Sequence, residues 1–173
     1  RRATAVARTN GRVSVTLDDG AAVTGTELLV AVGRRPFTAG LGLECYGLTG
    51  PAIAVDGRCR AAPGLWAIGD VTGVGAFTHL AVHQAGLSVA DILGTPGPPA
   101  DYTALPRVTF TDPEVGSVGR TEAAARAAGL SIAVGTAPVA ASSRGFVHGP
   151  GNDGLIKLVV DTDHDLLVGA TAV

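Results

Sequence analysis

Asp70 is the residue of this sequence best placed to bind a polar ligand. It follows directly after the apolar run Leu65–Gly69, which predicts a buried strand. In α/β proteins, ligands bind outside the carboxyl ends of the strands, where this carboxylate would stand. The alternative is a plain turn residue, since Asp is common in turns of any kind. The position of Asp70 is thus compatible with a ligand-binding carboxylate and with a plain turn residue.

Histidine and cysteine pairs are the other candidates for chemistry. His79 and His83 lie four residues apart on a predicted helix, so both imidazoles could share one face. A zinc site of the H-E-x-x-H type would need Glu where Leu80 stands, and the sequence offers no evident third ligand. We therefore predict no metal site. Cys45 and Cys59 do not have C-x-x-C spacing, and we interpret them as two unpaired buried thiols.

A glycine pattern near the C-terminus has the spelling of a nucleotide-binding loop. Residues 149–154 have the sequence Gly-Pro-Gly-Asn-Asp-Gly and so match G-x-G-x-x-G. That motif binds a pyrophosphate only where a strand precedes it and a helix follows it. Here the run Leu155–Val160 follows, and its residues favour a strand. We predict a hairpin loop at these glycines rather than a nucleotide site.

The strands that would accompany Asp70 are predicted from hydrophobic periodicity. Apolar and polar residues alternate over 13–17, which indicates a half-buried strand. The run Glu27–Gly33 is almost entirely apolar, which predicts a strand covered on both faces. A further short strand is expected near Ala52–Val55.

A helix is predicted after the glycine-rich loop that follows Asp70. We expect Thr78 to be its N-cap, and Gly94 with the prolines after it to end it. Because residues 95–104 are rich in Pro and Gly, they predict a linker and a domain boundary. The apolar stripe expected to face the core consists of Leu80, Ala81, Ala85, Val89, Ile92 and Leu93.

The second half of the chain predicts an α+β layer in which one helix packs against a mainly antiparallel sheet. Thr121 is expected to cap the helix and Gly129 to end it. The run 155–160 is apolar on both faces apart from Lys157, so each face of the sheet needs a cover. The predicted strands are Arg107–Thr111, Val115–Val118, Ser131–Val139, Leu155–Asp161 and Leu166–Val173.

Composition narrows the function classes. Of the 173 residues, 46% are hydrophobic and 16% are charged, which excludes a disordered chain. No apolar run approaches the roughly 18 residues of a membrane span, and the formal net charge of −2 predicts no attraction to nucleic acid or acidic lipid. Two cysteines cannot form a disulfide scaffold and no signal peptide is evident, so a cytoplasmic location is expected. The lack of any Met and the apolar ending suggest a piece of a longer chain.

Three segments, in order, resemble the flavoprotein disulfide reductases, the pyridine nucleotide-disulfide oxidoreductase family. The first is Val32–Thr38, with Leu41–Glu44 after it. The second is Ala67–Val71, and the third is Thr109–Gly119, followed by Thr-Glu at 121–122. Their order and spacing agree with that family over almost the whole chain. The first segment is most similar to the dihydrolipoamide dehydrogenase branch.

The resemblance implies an FAD-dependent oxidoreductase that uses NAD(P)H. Asp70 would accept hydrogen bonds from the ribityl hydroxyls of FAD. Residues 76–79 would line the flavin ring, where the positive N-terminus of the helix would stabilise negative charge on the flavin. Gly33 would lie near the nicotinamide nucleotide, since a residue without Cβ lets it approach. The implied cofactor-contacting residues are Gly33, Gly69, Asp70, Ala76, Phe77, Thr78 and His79, and none of them is assigned a catalytic role.

Other landmarks of that family have no counterpart in this sequence. They are the G-x-G-x-x-G fingerprints for FAD and NAD(P), the C-x-x-x-x-C redox pair, and the His-Pro segment that supplies the acid–base His. The resemblance thus divides the chain into the tail of an NAD(P)-binding domain (1–29), an FAD-contacting central segment (30–99) and a truncated dimerisation domain (105–173). The implied fold class is α/β plus α+β.

The resemblance also implies a homodimer that acts on a disulfide or dithiol substrate. Two other interpretations stay open. One is an FAD enzyme without the cysteine pair that reduces a quinone or another acceptor. The other is a non-catalytic dimerisation module with a β-rich arm. The sequence assigns neither the electron acceptor nor the choice between NADH and NADPH.

Overall fold

The computed structural model describes all residues from 1 to 173, which form two compact units, Arg1–Arg35 and Pro36–Val173. The fold is mixed, with three separate sheets and three α-helices, in agreement with the predicted fold class. The first unit is an antiparallel meander in which the predicted half-buried strand is confirmed, with Val13 buried. Its strands are β1 (Ala3–Thr9), β2 (Arg12–Leu17) and β3 (Ala22–Gly25).

The apolar run Glu27–Gly33 is not a strand in this structure, so the prediction of a strand covered on both faces is wrong. Leu29 and Val32 are each 91% exposed. A strand requires neighbouring strands that satisfy its N–H and C=O groups, and no segment of the 173 residues pairs with this run. Hydrophobicity alone cannot supply that partner.

The central part of the second unit contains little sheet. Its elements are a 3-10 helix (Leu43–Tyr46), the antiparallel pair β4 (Arg60–Ala62) and β5 (Leu65–Trp66), a second 3-10 helix (Gly69–Thr72) and α1 (Thr78–Ile92). The strand predicted to reach Gly69 therefore ends at Trp66.

The short strand expected at Ala52–Val55 is absent. The backbone N–H of Ile53 donates instead to the carbonyl of Val71 across a loop, at 2.8 Å. Ile53 is nevertheless buried. This segment therefore contributes to the core without joining a sheet.

Helix α1 buries a largely polar face. Its buried residues recur every three or four positions, as one helical face requires, and they are Leu80, Gln84, Ser88 and Asp91. Of the apolar stripe predicted to face the core, only Leu80 is buried, while Val89, Ile92 and Leu93 are exposed. The prediction of the core face is thus wrong for most of the helix. The predicted end is confirmed, since Leu93 is the C-cap and Gly94 has a φ of 73°.

The Pro-rich segment after α1 is attached to the loop before β4. The backbone N–H of Ala100 donates to the carbonyl of Gly57 at 2.7 Å. A Cβ added to Gly57 would stand 2.8 Å from the Cβ of Pro99. Residue 57 must therefore be a glycine for this segment to lie as it does.

The last 70 residues form an antiparallel five-stranded sheet of order β6-β7-β10-β9-β8, which contains all five predicted strands but has a second helix between β8 and β9. Thr121 caps α2 as predicted, because its hydroxyl accepts the N–H of Ala124 at 3.1 Å. Gly129 follows the helix with a φ of 76°. The elements are β6 (Arg107–Thr109), β7 (Val115–Gly119), α2 (Glu122–Ala127), β8 (Ile132–Pro138), α3 (Ser143–His148), β9 (Leu155–Asp161) and β10 (Leu166–Ala172).

Helix α3 was not expected from the sequence. It is short, and Ser142 caps it by accepting the N–H of Gly145 at 3.0 Å. The glycine loop 149–154 joins α3 to β9. The strand predicted after these glycines is confirmed, but the loop is not a simple hairpin between two strands. None of the three α-helices is long and apolar enough to cross a membrane.

The two faces of the five-stranded sheet are covered unequally. Lys157 Nζ donates to Glu122 of α2 at 2.7 Å, so α2 covers the face that Lys157 shares with the buried Val159. On the alternate positions of the same strand, Ile156 is 42% exposed and Leu158 is 39% exposed. The predicted cover by one helix is present, and the opposite face stays partly open in the single chain.

Candidate functional site

Asp70 lies at a tight turn whose backbone only glycine accommodates without strain. Gly69 is buried and has a φ of 76°. The carbonyl of Gly69 accepts the hydroxyl of Thr72 at 2.8 Å, and the carbonyl of Asp70 accepts the N–H of Gly73 at 3.2 Å. The carboxylate of Asp70 belongs to an exposed residue at the start of this 3-10 helix. The turn thus presents an acidic side chain on a well-fixed backbone.

The N-terminus of α1 is the second part of the site. Its N-cap is Phe77, which makes no side-chain hydrogen bond to the helix, and Thr78 is the first helical residue. The prediction that Thr78 caps the helix is therefore wrong. The first amides of the helix carry no side-chain cap, so they can donate to an outside group. The rings of Phe77 and His79 stack, with centroids 5.3 Å apart, while Ala76 and Phe77 are half-buried.

Gln84 joins the turn to the helix. It is completely buried, and its Oε1 accepts the N–H of Gly69 at 2.6 Å. Its Nε2 donates to the hydroxyl of Tyr102 at 3.1 Å and lies 3.4 Å from the hydroxyl of Thr72. A Cβ added to Gly69 would stand 3.4 Å from Ala81, in the first turn of α1. The structure therefore brings the Gly69–Asp70 turn against the first two turns of α1.

The two histidines of α1 contact the segment before β6. His79 Nε2 lies 3.0 Å from the carbonyl of Pro106, and the ring of His83 meets the ring of Tyr102 edge-on at 6.4 Å. No group of three or more His, Cys, Asp or Glu residues in the chain could hold a metal ion. The imidazoles of both histidines contact other residues of this chain.

The two thiols differ in their surroundings. Both are free, but Cys59 is buried while Cys45 is exposed. The prediction of two buried thiols is thus right for Cys59 and wrong for Cys45. Cys59 adjoins Tyr102, where burial raises the pKa of the phenol, the hydrogen bond from Gln84 opposes that rise, and the thiol adds to it.

An ion pair between the buried Asp91 and the partly exposed Arg60 fixes the other end of α1, and the sequence did not predict it. Asp91 accepts two hydrogen bonds from Arg60, at 2.5 and 2.7 Å, and one from Trp66 Nε1 at 2.8 Å. The Arg60 hydrogen bond is the main reason why the pKa of Asp91 lies below its usual value. The signal available in the sequence was an Asp in the last turn of the helix, at the same helical face as Gln84 and Ser88. This contact ties β4 and β5 to α1, on the same helical face as Gln84.

Gly33 lies in the first compact unit, Arg1–Arg35. Its φ is 133°, a value that favours glycine, and no atom lies within 4 Å of where a Cβ would stand. The residue is exposed. A backbone with open space beside it is accessible to a ligand.

Comparisons with known proteins agree on one family. The family model described as "pyridine nucleotide-disulphide oxidoreductase" matches residues 1–85. The model of the dimerisation domain of that family matches residues 105–173. The dihydrolipoyl dehydrogenase of Thermus scotoductus is 42% identical over 151 residues, which are 85% of this chain and 32% of that protein. The dihydrolipoyl dehydrogenase of Geobacillus stearothermophilus is 38% identical over 147 residues, or 83% of this chain and 31% of that protein.

Solved structures show the same fold. LpdA from Mycobacterium tuberculosis matches with a TM-score of 0.84 and 28% identity, over 99% of this chain and 38% of that chain. The HOCl-induced flavoprotein disulfide reductase RclA from Escherichia coli matches with a TM-score of 0.81 and 32% identity, over 98% of this chain and 40% of that chain. The chain spans about a third of the length of the curated relatives it matches.

Proposed function

Because this chain belongs to the pyridine nucleotide-disulphide oxidoreductase family, we propose that it is part of an FAD-dependent enzyme that passes electrons between NAD(P)H and a disulfide or dithiol substrate. The observation that carries this proposal is the Asp70 turn, which a buried Gln84 holds against the N-terminus of α1. The turn supplies a carboxylate acceptor and the helix supplies uncapped amide donors. This pairing suits a ligand that carries hydroxyls at one point and electronegative ring atoms at another.

The residues present fit FAD. Bound FAD would supply a ring that accepts hydride from the nicotinamide and passes electrons onward. Asp70 would accept hydrogen bonds from the ribityl hydroxyls of FAD, and its negative charge would strengthen them. The amides of Thr78 and His79 would donate to the electronegative edge of the ring, and the partial positive charge of the helix N-terminus would add to this attraction. Phe77 and Ala76 contribute the half-buried, mainly apolar surface that such a ring requires.

The division of the chain follows from the same proposal. Residues 1–29 are the tail of the NAD(P)-binding domain, 30–99 the FAD-contacting segment and 105–173 the dimerisation domain. Gly69 sets the turn, and Gly33 lets the nicotinamide nucleotide approach the backbone. Residues 105–173 pair with a second copy, and the partly open sheet face that carries Ile156 and Leu158 is consistent with that role.

Replacement of Asp70 tests this function. In the full-length protein, Asp70→Ala should weaken FAD binding by about 1.5–3 kcal/mol, which is roughly a tenfold to hundredfold rise in Kd, because a hydrogen-bonded charged group is lost. Flavin fluorescence during dialysis measures retention. Asp18→Ala, which removes another exposed carboxylate from a turn, is the matched control and should retain FAD. Wild-type occupancy in Asp70→Ala would show that Asp70 is only a turn residue.

A further inference from the structure

We propose that Gln84 is the positioning residue for the FAD site, and that it acts by fixing the backbone of the Gly69–Asp70 turn. The inference rests on the proposed function of Asp70. Gln84 is too deeply buried to reach a ligand, since no part of it is exposed. Its side chain accepts instead the backbone N–H of Gly69, the residue before Asp70.

The hydrogen bond between Gly69 and Gln84 satisfies a buried backbone donor of the turn. Gly69 has a φ of 76°, so its peptide departs from the extended geometry that would pair it with a strand. Its N–H is buried and bonds to Gln84 Oε1 at 2.6 Å. Leaving a buried donor without an acceptor carries a full desolvation penalty. Without Gln84, the turn would rotate to bring this N–H to water or to another acceptor, and the Asp70 carboxylate would move with it.

The other end of the same amide explains why glutamine suits this position. Nε2 donates to the hydroxyl of Tyr102 and approaches the hydroxyl of Thr72. Thr72 in turn donates to the carbonyl of Gly69. An amide offers one acceptor and two donors at once, so Gln84 meets the turn at both sides of Gly69. A side chain with only acceptors or only donors could bond on one side of Gly69 but not on both.

Two replacements of Gln84 in the full-length protein test the inference. Gln84→Met keeps the length and apolar bulk of the side chain but removes both polar groups. Gln84→Asn keeps the amide but shortens it by one methylene, so the contact with Gly69 is lost even if the first variant proves unstable. Both should raise the Kd of FAD by about tenfold, as expected for one buried hydrogen bond. Titration of the apoprotein with FAD, followed by fluorescence quenching and visible circular dichroism, gives the measurement.

Two controls separate positioning from general damage to the helix. Ser88→Ala removes a buried hydroxyl one turn further along the same face, where it donates only to the carbonyl of Gln84. Tyr102→Phe removes the hydroxyl partner of Nε2 and leaves the Gly69 contact intact. Both should bind FAD within about twofold of wild type, since neither touches the turn.

A double variant shows whether Gln84 acts through Asp70. In an Asp70→Ala background, Gln84→Met should add less than about a further twofold, whereas independent effects would multiply. Multiplied effects, or FAD binding like wild type in both Gln84 variants, would overturn the inference while the role of Asp70 stands. If Asp70→Ala itself retains FAD, the proposed role of Asp70 fails, and the positioning role fails with it.

Discussion

Gly69 holds a φ of 76° where the chain enters the 3-10 helix that carries Asp70. Gly69→Ala should lower the free energy of unfolding by about 1–2 kcal/mol, the cost of a side chain in left-handed backbone. Space is not the obstacle, because the new Cβ would stand in ordinary contact with Ala81 at 3.4 Å. Urea unfolding of this chain measures the loss.

Replacement of Gly86 by Ala should change the free energy of unfolding in the opposite direction. Gly86 lies within α1 in open space and has no positive φ. Gly86→Ala should therefore raise the free energy of unfolding by roughly 0.5–1 kcal/mol, because alanine is the better helix former. Equal losses in the two variants would contradict the assignment of strain to Gly69.

At the scale of single residues, the sequence located Asp70 but not the side chain that holds its turn. Asp70 was recognisable because a carboxylate followed an apolar run. Gln84 and Asp91 were not, because a polar residue in a helix is normally assigned to the solvent face. Here both are buried, and each is satisfied by partners distant in sequence, Gly69 and Tyr102 for the first and Arg60 and Trp66 for the second.

At the scale of elements, prediction succeeded for the five-stranded sheet, in which most strands pair with a sequence neighbour. The strands β8, β9 and β10 pair with their sequence neighbours, and β6 pairs with β7. Their alternating patterns and turn residues were therefore sufficient. The run Glu27–Gly33 has a strand-like composition but no partner in the chain, and α1 faces the core with its polar side. These cases depend on contacts that periodicity does not encode.

The turn between β9 and β10 carries an ion pair that predicts a pH dependence. His164 Nδ1 lies 2.9 Å from a carboxylate oxygen of Asp161. The hydrogen bond between these two side chains is the main reason why the pKa of His164 is raised. Because the pKa of His164 is higher in the folded state, the ion pair stabilises the fold fully at pH values below the unfolded-state pKa of about 6.5. This contribution is lost as pH rises through the folded-state pKa. The same contact lowers the pKa of Asp161, so its contribution is lost in acid.

The difference in unfolding free energy between wild type and His164→Gln should therefore be larger at about pH 5.5 than at about pH 8.5. The effect should be small, because the imidazole is largely exposed. Urea unfolding at the two pH values provides the test. In an Asp161→Asn background the pH dependence of the His164→Gln difference should vanish, and its persistence would assign it to another partner.

At the scale of the whole molecule, the five-stranded sheet predicts assembly. On one face Ile156 and Leu158 are 42% and 39% exposed, and α2 covers the other face. Homo-oligomers pair the same patch on both subunits, so the full-length protein should sediment as a dimer at micromolar concentration. A monomer that still oxidises NADH would contradict both the interface and a catalytic dimer.

The contact of the Pro-rich segment with Gly57 also bears on motion. A segment rich in proline and glycine between two regions suggests a hinge, yet Ala100 is hydrogen-bonded to Gly57 and Pro99 lies against the same glycine. The prolines stiffen the connection further by fixing φ. Rotation of the five-stranded sheet would therefore drag the loop before β4 with it. We therefore expect the Pro-rich segment to restrain such a rotation rather than to permit it.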